Sequence, residues 1–171
     1  KGPRTLTEWQ AKHLAAYESV VRLYGSKLRL PVREFYVLLS KPIEGGVVAG
    51  EYYGGNMGVN PMCFDKDKMS DPIVYALALR DLATHELTHN YIGKHNEEFT
   101  SRLASVQHSS SPEFANTLSI AEKATGKESG LTKKETVNKL VTVEKIIELE
   151  TKRYYTPAQQ EFVFDNIEKG G

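Results

Sequence analysis

The stretch His85-Glu86-Leu87-Thr88-His89-Asn90-Tyr91-Ile92-Gly93-Lys94-His95 decides how this chain is read, because its spacing fixes both a helix and a chemistry. Histidines four positions apart stand about one turn apart on a single helix face, so both imidazoles can reach the same metal ion. Glu86 points to a neighbouring part of the helix surface, where its carboxylate meets a water held by the metal rather than the metal itself. Zinc lowers the pKa of such a water to roughly 7, and a carboxylate that accepts its proton serves hydrolysis of a carbonyl polarised by the same ion. His85 and His89 are therefore read as ligands of one zinc per chain, with Glu86 as general base. With five histidines in the chain the pattern alone is only suggestive, and its surroundings have to carry the rest.

Those surroundings begin at Asp71-Pro72, where an aspartate that can cap free amides precedes a proline suited to the first helical position; the helix is predicted to run to about Asn90. Gly93 interrupts it, and a new helix is expected near Asn96, with Glu97 and Glu98 at the positive end of its dipole. His95 falls at that corner. A catalytic zinc site takes three protein ligands and leaves one position open, which makes His95 the nearest third candidate. Glu113, on the next predicted helix, is the ligand expected of a site with two histidines and one glutamate. Cys63 could ligate as a thiolate, although Asn60-Pro61-Met62-Cys63-Phe64 lacks the motif of deformylase-type hydrolases, and a buried small side chain is its other reading. Asp81, one turn before His85, is a candidate acceptor for the ring N–H turned away from the metal. Tyr52, Tyr53, Tyr154 and Tyr155 are candidates for stabilising an oxyanion. His13 and His108, outside the motif, read as core or surface histidines.

Working outward, Leu14, Tyr17, Val21 and Tyr24 recur at helical spacing, predicting a helix from about Thr7 to Tyr24 with Gly25 as its stop. The run Phe35 to Leu39 and the run Val47 to Tyr53 behind Gly45-Gly46 read as a β-hairpin. Met57 to Phe64 contains Pro61, which a central strand would not tolerate, so this piece is placed at the sheet edge. Ser109-Ser110-Ser111-Pro112 reads as a linker ending in a cap, before a helix to about Ala124 and a polar loop to Gly130. Thr132-x-x-Glu135 is a capping box opening a long amphipathic helix to about Tyr154, and Thr156-Pro157 starts a last short one. The expected fold class is α+β: a small, mostly antiparallel sheet packed on the active-site helix, followed by a helical C-terminal region. Residues 1–108 form the expected metallopeptidase core, and 109–171 a helical extension packed on it.

Composition removes several other classes. The 22 basic and 22 acidic residues balance, so the one-sided charge of a protein that grips nucleic acid or anionic lipid is missing, and nucleic-acid contact would have to come from regions outside this chain. No apolar run approaches the ~20 residues needed to cross a bilayer, so no membrane association is expected. A single cysteine rules out an intramolecular disulfide and favours an intracellular setting. The chain starts at Lys1 rather than methionine and ends Gly170-Gly171, and reads as a cut piece in which a targeting signal can have been removed.

The segment from His85 to Phe99, H-E-L-x-H, five residues, then H-x-x-x-F, resembles the signature of the WLM and SprT-like metallopeptidases, the bacterial YgjP type among them. Gly58-Val59-Asn60-Pro61 is similar to the strand ending in Asn-Pro that precedes the active-site helix in that family. The resemblance covers about Met57 to Leu103. It implies zinc on His85, His89 and His95, Glu86 as the catalytic residue, Phe99 packing the helix after the third ligand, and a sheet edge that accepts extended substrate. Gly58, Val59 and Asn60 are the substrate-binding candidates on that edge. It also implies protein substrates, in some members proteins bound to DNA. Metzincins share the three histidine positions, but their pattern wants glycine where Ile92 stands, and no methionine follows Met69 to make their turn.

Two function classes follow. The first is a zinc-dependent endopeptidase acting on protein or peptide. The second is a non-catalytic zinc-containing interaction module that meets a partner through the helices from Thr132 onward. Glu86 weighs against the second, because a structural zinc site needs no base and fills its fourth position with protein.

Overall fold

The computed structural model describes residues 5–38, 50–132, 135, 136, 138 and 140. Thr7 opens α1 (Glu8–Leu28) with a capping box, its side chain accepting from the Gln10 amide while the Gln10 side chain accepts from Thr7. The helix does not stop at Gly25. It runs on to Leu28 and is closed by Arg29 in the left-handed region at φ 57. Gly25 serves packing instead: a Cβ there would lie 2.6 Å from Val32 Cγ2, where the chain folds back across the helix. Leu14, Tyr17, Val20, Val21 and Tyr24 form its buried stripe.

The sheet is small and mixed, in the order β1-β3-β2. β1 (Phe35–Val37) runs parallel to β3 (Asn56–Val59), and β2 (Gly50–Tyr53) runs antiparallel to it. The hairpin therefore joins β2 to β3 and not β1 to β2. Gly54 and Gly55 decide this, because their φ values of 59 and 91 suit a two-residue turn that matches strand twist, with Tyr53 paired to Asn56 across it. The predicted stretch Val47 to Ala49 lies outside the described residues. β3 is the central strand, and its predicted place at the edge is corrected for a plain reason. The strand ends at Val59, so Pro61 never enters the ladder; Asn60 accepts from the Met62 amide and opens a 3-10 turn over Pro61–Cys63. Gly58 and Val59, expected on a free edge, are paired on both sides, and Asn60 behind them is buried.

Asp71 caps α2 (Pro72–Thr88) as expected, accepting from the amides of Ile73 and Val74. This helix packs against α1, β2 and the two helices that follow it, α3 (Glu97–Ser110) and α4 (Phe114–Thr125). Tyr75, Ala76, Leu79, Ala83 and Leu87 form its buried apolar stripe, and with neighbours on several sides burial extends round the helix to Arg80, Thr84 and Thr88. Thr84 and Thr88, also buried, satisfy their hydroxyls on the carbonyls one turn back, at 2.7 and 2.6 Å. The serine run is no linker: α3 continues through Ser110, a 3-10 turn covers Ser111–Glu113, and Ser110 Oγ donates to the Val106 carbonyl at 2.6 Å. Ser110 and Ser111 are buried, and hydroxyls that bond to their own helix need no water.

Phe114, Leu118 and Ala121 of α4 join the same hydrophobic cluster as α1, β3 and α2, and Leu140 joins it too. The Thr132 capping box is formed, Thr132 Oγ1 accepting from Glu135 N at 3.2 Å and Glu135 Oε2 from Thr132 N at 2.9 Å. The predicted course of that helix to Tyr154, and the last one at Thr156-Pro157, lie outside the described residues. The fold class is thus α+β, a small three-stranded sheet with helices that continue past it. Among the described residues no helix is long and apolar enough to cross a membrane.

Candidate metal centre

The last turn of α2 carries His85, and its C-cap residue His89 lies on the same face; the chain then leaves the helix in tight turns, Tyr91 N donating to the Thr88 carbonyl at 2.9 Å and Ile92 N to the same oxygen at 3.2 Å. Gly93 has no positive φ, so the break comes from these turns rather than from glycine's freedom. Asn96 restarts the helix by accepting from the Phe99 amide at 2.9 Å. Folding the chain between two fixed ends in this way returns His95 to the pair. His85 Nε2 lies 3.2 Å from His89 Nε2 and 3.2 Å from His95 Nε2. Among the described residues this is the one group of His, Cys, Asp or Glu whose ligand atoms all lie within 4.8 Å of one another.

The arrangement fits a zinc ion. Tetrahedral zinc held about 2.0–2.1 Å from each nitrogen requires ligand nitrogens roughly 3.3 Å apart. His89 Nδ1 sits 3.1 Å from the Ile92 carbonyl, which can only accept, so that nitrogen carries the proton and Nε2 keeps a lone pair for the metal. Burial, helped by His89 and His95, lowers His85 to about 3. Burial likewise lowers His89, against the bond to Ile92. Both are neutral near pH 7, the form that ligates. Phe99, 1% exposed, underlies all three rings, with centroids 5.2, 4.7 and 5.0 Å from those of His85, His89 and His95.

Glu86 Oε1 stands 4.0 Å from His85 Nε2, outside the ligand set and close enough for one water to bridge the carboxylate and the cluster. Burial, reinforced by Glu51, pushes its carboxyl up to about 7, so it gains and loses a proton near neutral pH. The carboxylate lies against Gly50, the first residue of β2.

The other candidates separate cleanly. Glu113 precedes α4 and accepts from Asn116 Nδ2 at 3.1 Å, and neither it nor Cys63 belongs to the histidine group. Asp81 is taken up by Gln107 Nε2 at 3.3 Å and lies 3.8 Å from Arg80 Nη1, with burial raising its carboxyl to about 6. His13 is a core residue, stacked on Phe64 at 3.9 Å with Nδ1 2.7 Å from the Tyr75 hydroxyl, whereas His108 is exposed. The single proton of the Tyr52 hydroxyl goes to the Pro31 carbonyl at 2.7 Å, which leaves none for an oxyanion; Tyr53 is 85% exposed. Tyr154 and Tyr155 lie outside the described residues. Sequence reading missed Gly50 and Glu51, which the sheet delivers to Glu86 from some 35 positions away, and the Ile92 carbonyl, whose backbone role leaves no trace in residue type.

No family model matches the chain, and searches of curated proteins and of solved structures found no match. The chemistry of the site is therefore argued from its own geometry.

Proposed function

We propose that this protein is a zinc-dependent endopeptidase of the HExxH type, built like the WLM and SprT-like enzymes its motif resembles. The observation that carries the reading is the convergence of three imidazole nitrogens, two of them 3.2 Å from the third, beside a buried carboxylate that is not a ligand. His85, His89 and His95 would hold the ion. Zinc, when bound, supplies Lewis acidity toward a carbonyl and makes a water acidic near neutral pH. Glu86 takes the proton of the attacking water and returns it to the departing amine; a base poised near 7 can do both. β2 is the outer neighbour of β3 and begins at the Glu86 carboxylate, so an extended peptide laid along β2 by backbone hydrogen bonds brings its own carbonyl to the cluster.

The test is zinc content and cleavage together, for wild type and Glu86→Gln, with casein and a DNA-bound protein as substrates. The reading expects about one zinc in each protein and cleavage by wild type alone. Zinc in both with cleavage by neither would favour the interaction module, and absence of zinc from both would remove the metal centre itself.

A further inference from the structure

We infer that Gly50 is a positioning residue for the general base: the missing side chain at the start of β2 is what lets the Glu86 carboxylate stand beside the histidine cluster. The inference rests on the endopeptidase reading. A Cβ at position 50 would lie 3.1 Å from Glu86 Oε1, 3.4 Å from its Cδ and 3.3 Å from the Gly58 carbonyl oxygen. Secondary structure gives no reason for glycine here, since Gly50 lies in strand β2 and pairs with Val59. Nor does strand propensity, which favours branched and aromatic residues and leaves glycine to places where another group comes close. The group that comes close is the carboxylate.

An added methyl group has to displace something. The Gly58 oxygen belongs to the central strand, where Gly58 is paired with Tyr36 on one side and Glu51 on the other. The Glu86 carboxylate is the free end of a side chain whose nearest histidine nitrogen is 4.0 Å away. It gives way first, and a base displaced by a few tenths of an ångström meets the attacking water at a poorer distance and angle. Histidine ligands are left in place, so zinc is retained. The effect falls on the proton transfer and hence on kcat, whereas a residue that merely crowded the peptide would raise KM.

The experiment uses Gly50→Ala and Gly50→Val in the full chain, alone and combined with Glu86→Asp, on a fluorogenic peptide built around a casein bond that the wild type cuts. Alanine is expected to lower kcat ~10-fold and valine ~100-fold, with KM within ~2-fold and zinc content unchanged. In the Glu86→Asp background the shorter carboxylate no longer reaches position 50, so adding alanine there costs less than ~2-fold. Wild-type kcat in Gly50→Ala, a loss confined to KM, or the same alanine penalty in the Glu86→Asp background would each overturn the inference. Should wild type hold zinc and cut nothing, the endopeptidase reading fails by itself. Crystal structures of wild type and Gly50→Ala then decide the positioning claim, which stands if the carboxylate has moved and falls if it has not.

Discussion

Phe99→Leu separates support of the metal ligands from ordinary core packing. Phe99 is 1% exposed and its ring touches all three imidazoles at centroid distances of 4.7–5.2 Å. Leucine keeps most of the volume, so the cost in stability of the metal-free protein is expected near 1–1.5 kcal/mol, against roughly 3–5 kcal/mol for alanine. What leucine cannot keep is the flat surface against which the rings are fixed. If each histidine must then be immobilised by the ion instead of by the fold, each costs about 0.5–1 kcal/mol on binding. Three ligands give about 1.5–3 kcal/mol, or roughly a ten- to hundredfold weaker zinc Kd. Competition against a chromophoric chelator at neutral pH measures the Kd, and urea unfolding in EDTA measures the stability separately. A variant that loses the expected stability yet binds zinc within twofold of wild type would refute the claim that Phe99 orders the ligands.

His13 predicts an acid dependence of stability. Burial lowers its pKa from 6.5 to about 4, so between these values the unfolded chain binds more protons than the folded one. Its contribution is complete above pH 6.5 and is lost as pH falls through about 4, to a total of about 3 kcal/mol. His85 and His89 titrate in the same direction, so the quantity to measure is the difference in slope between wild type and His13→Gln in urea unfolding; equal slopes would sink the assignment. Gly25→Ala reverses the usual helix rule. Alanine normally gains up to about 1 kcal/mol over glycine inside a helix, but the methyl 2.6 Å from Val32 Cγ2 overpacks the crossing by about 1–3 kcal/mol. A fall in urea midpoint is expected, and a rise would show that Val32 moves aside freely.

Local readings were legible wherever a residue's own chemistry sets the local structure. Asp71-Pro72 and Thr132 cap the helices that the sequence predicts from them, because a cap acts over two or three residues, and Thr7 and Asn96 cap the helices expected to start near them. The H-E-x-x-H spacing places the two imidazoles on one face by helical geometry alone. Expectations fail where one residue type allows more than one local outcome. Pro61 argues against a central strand, but the strand stops at Val59 and the proline opens the next turn. Gly25 suits a helix stop, yet it is kept small by Val32. Serines followed by proline suit a linker, yet these hydroxyls bond back to carbonyls one turn earlier.

For the site, the sequence by itself determined which side chains could bind and activate: His85, Glu86 and His89 through helix periodicity, and His95 as one of three candidates for the third ligand. Only the tertiary structure decided among His95, Glu113 and Cys63, because that choice depends on where the chain returns after α2, set by turns and by the burial of Phe99 under the rings. Only the sheet decided that β2, and not β3, flanks Glu86, since strand order rests on pairing between segments that no local pattern relates. The raised pKa of Glu86 and the room left for it by Gly50 belong to the same level. Both are properties of the space between elements, which a sequence specifies only once it has folded.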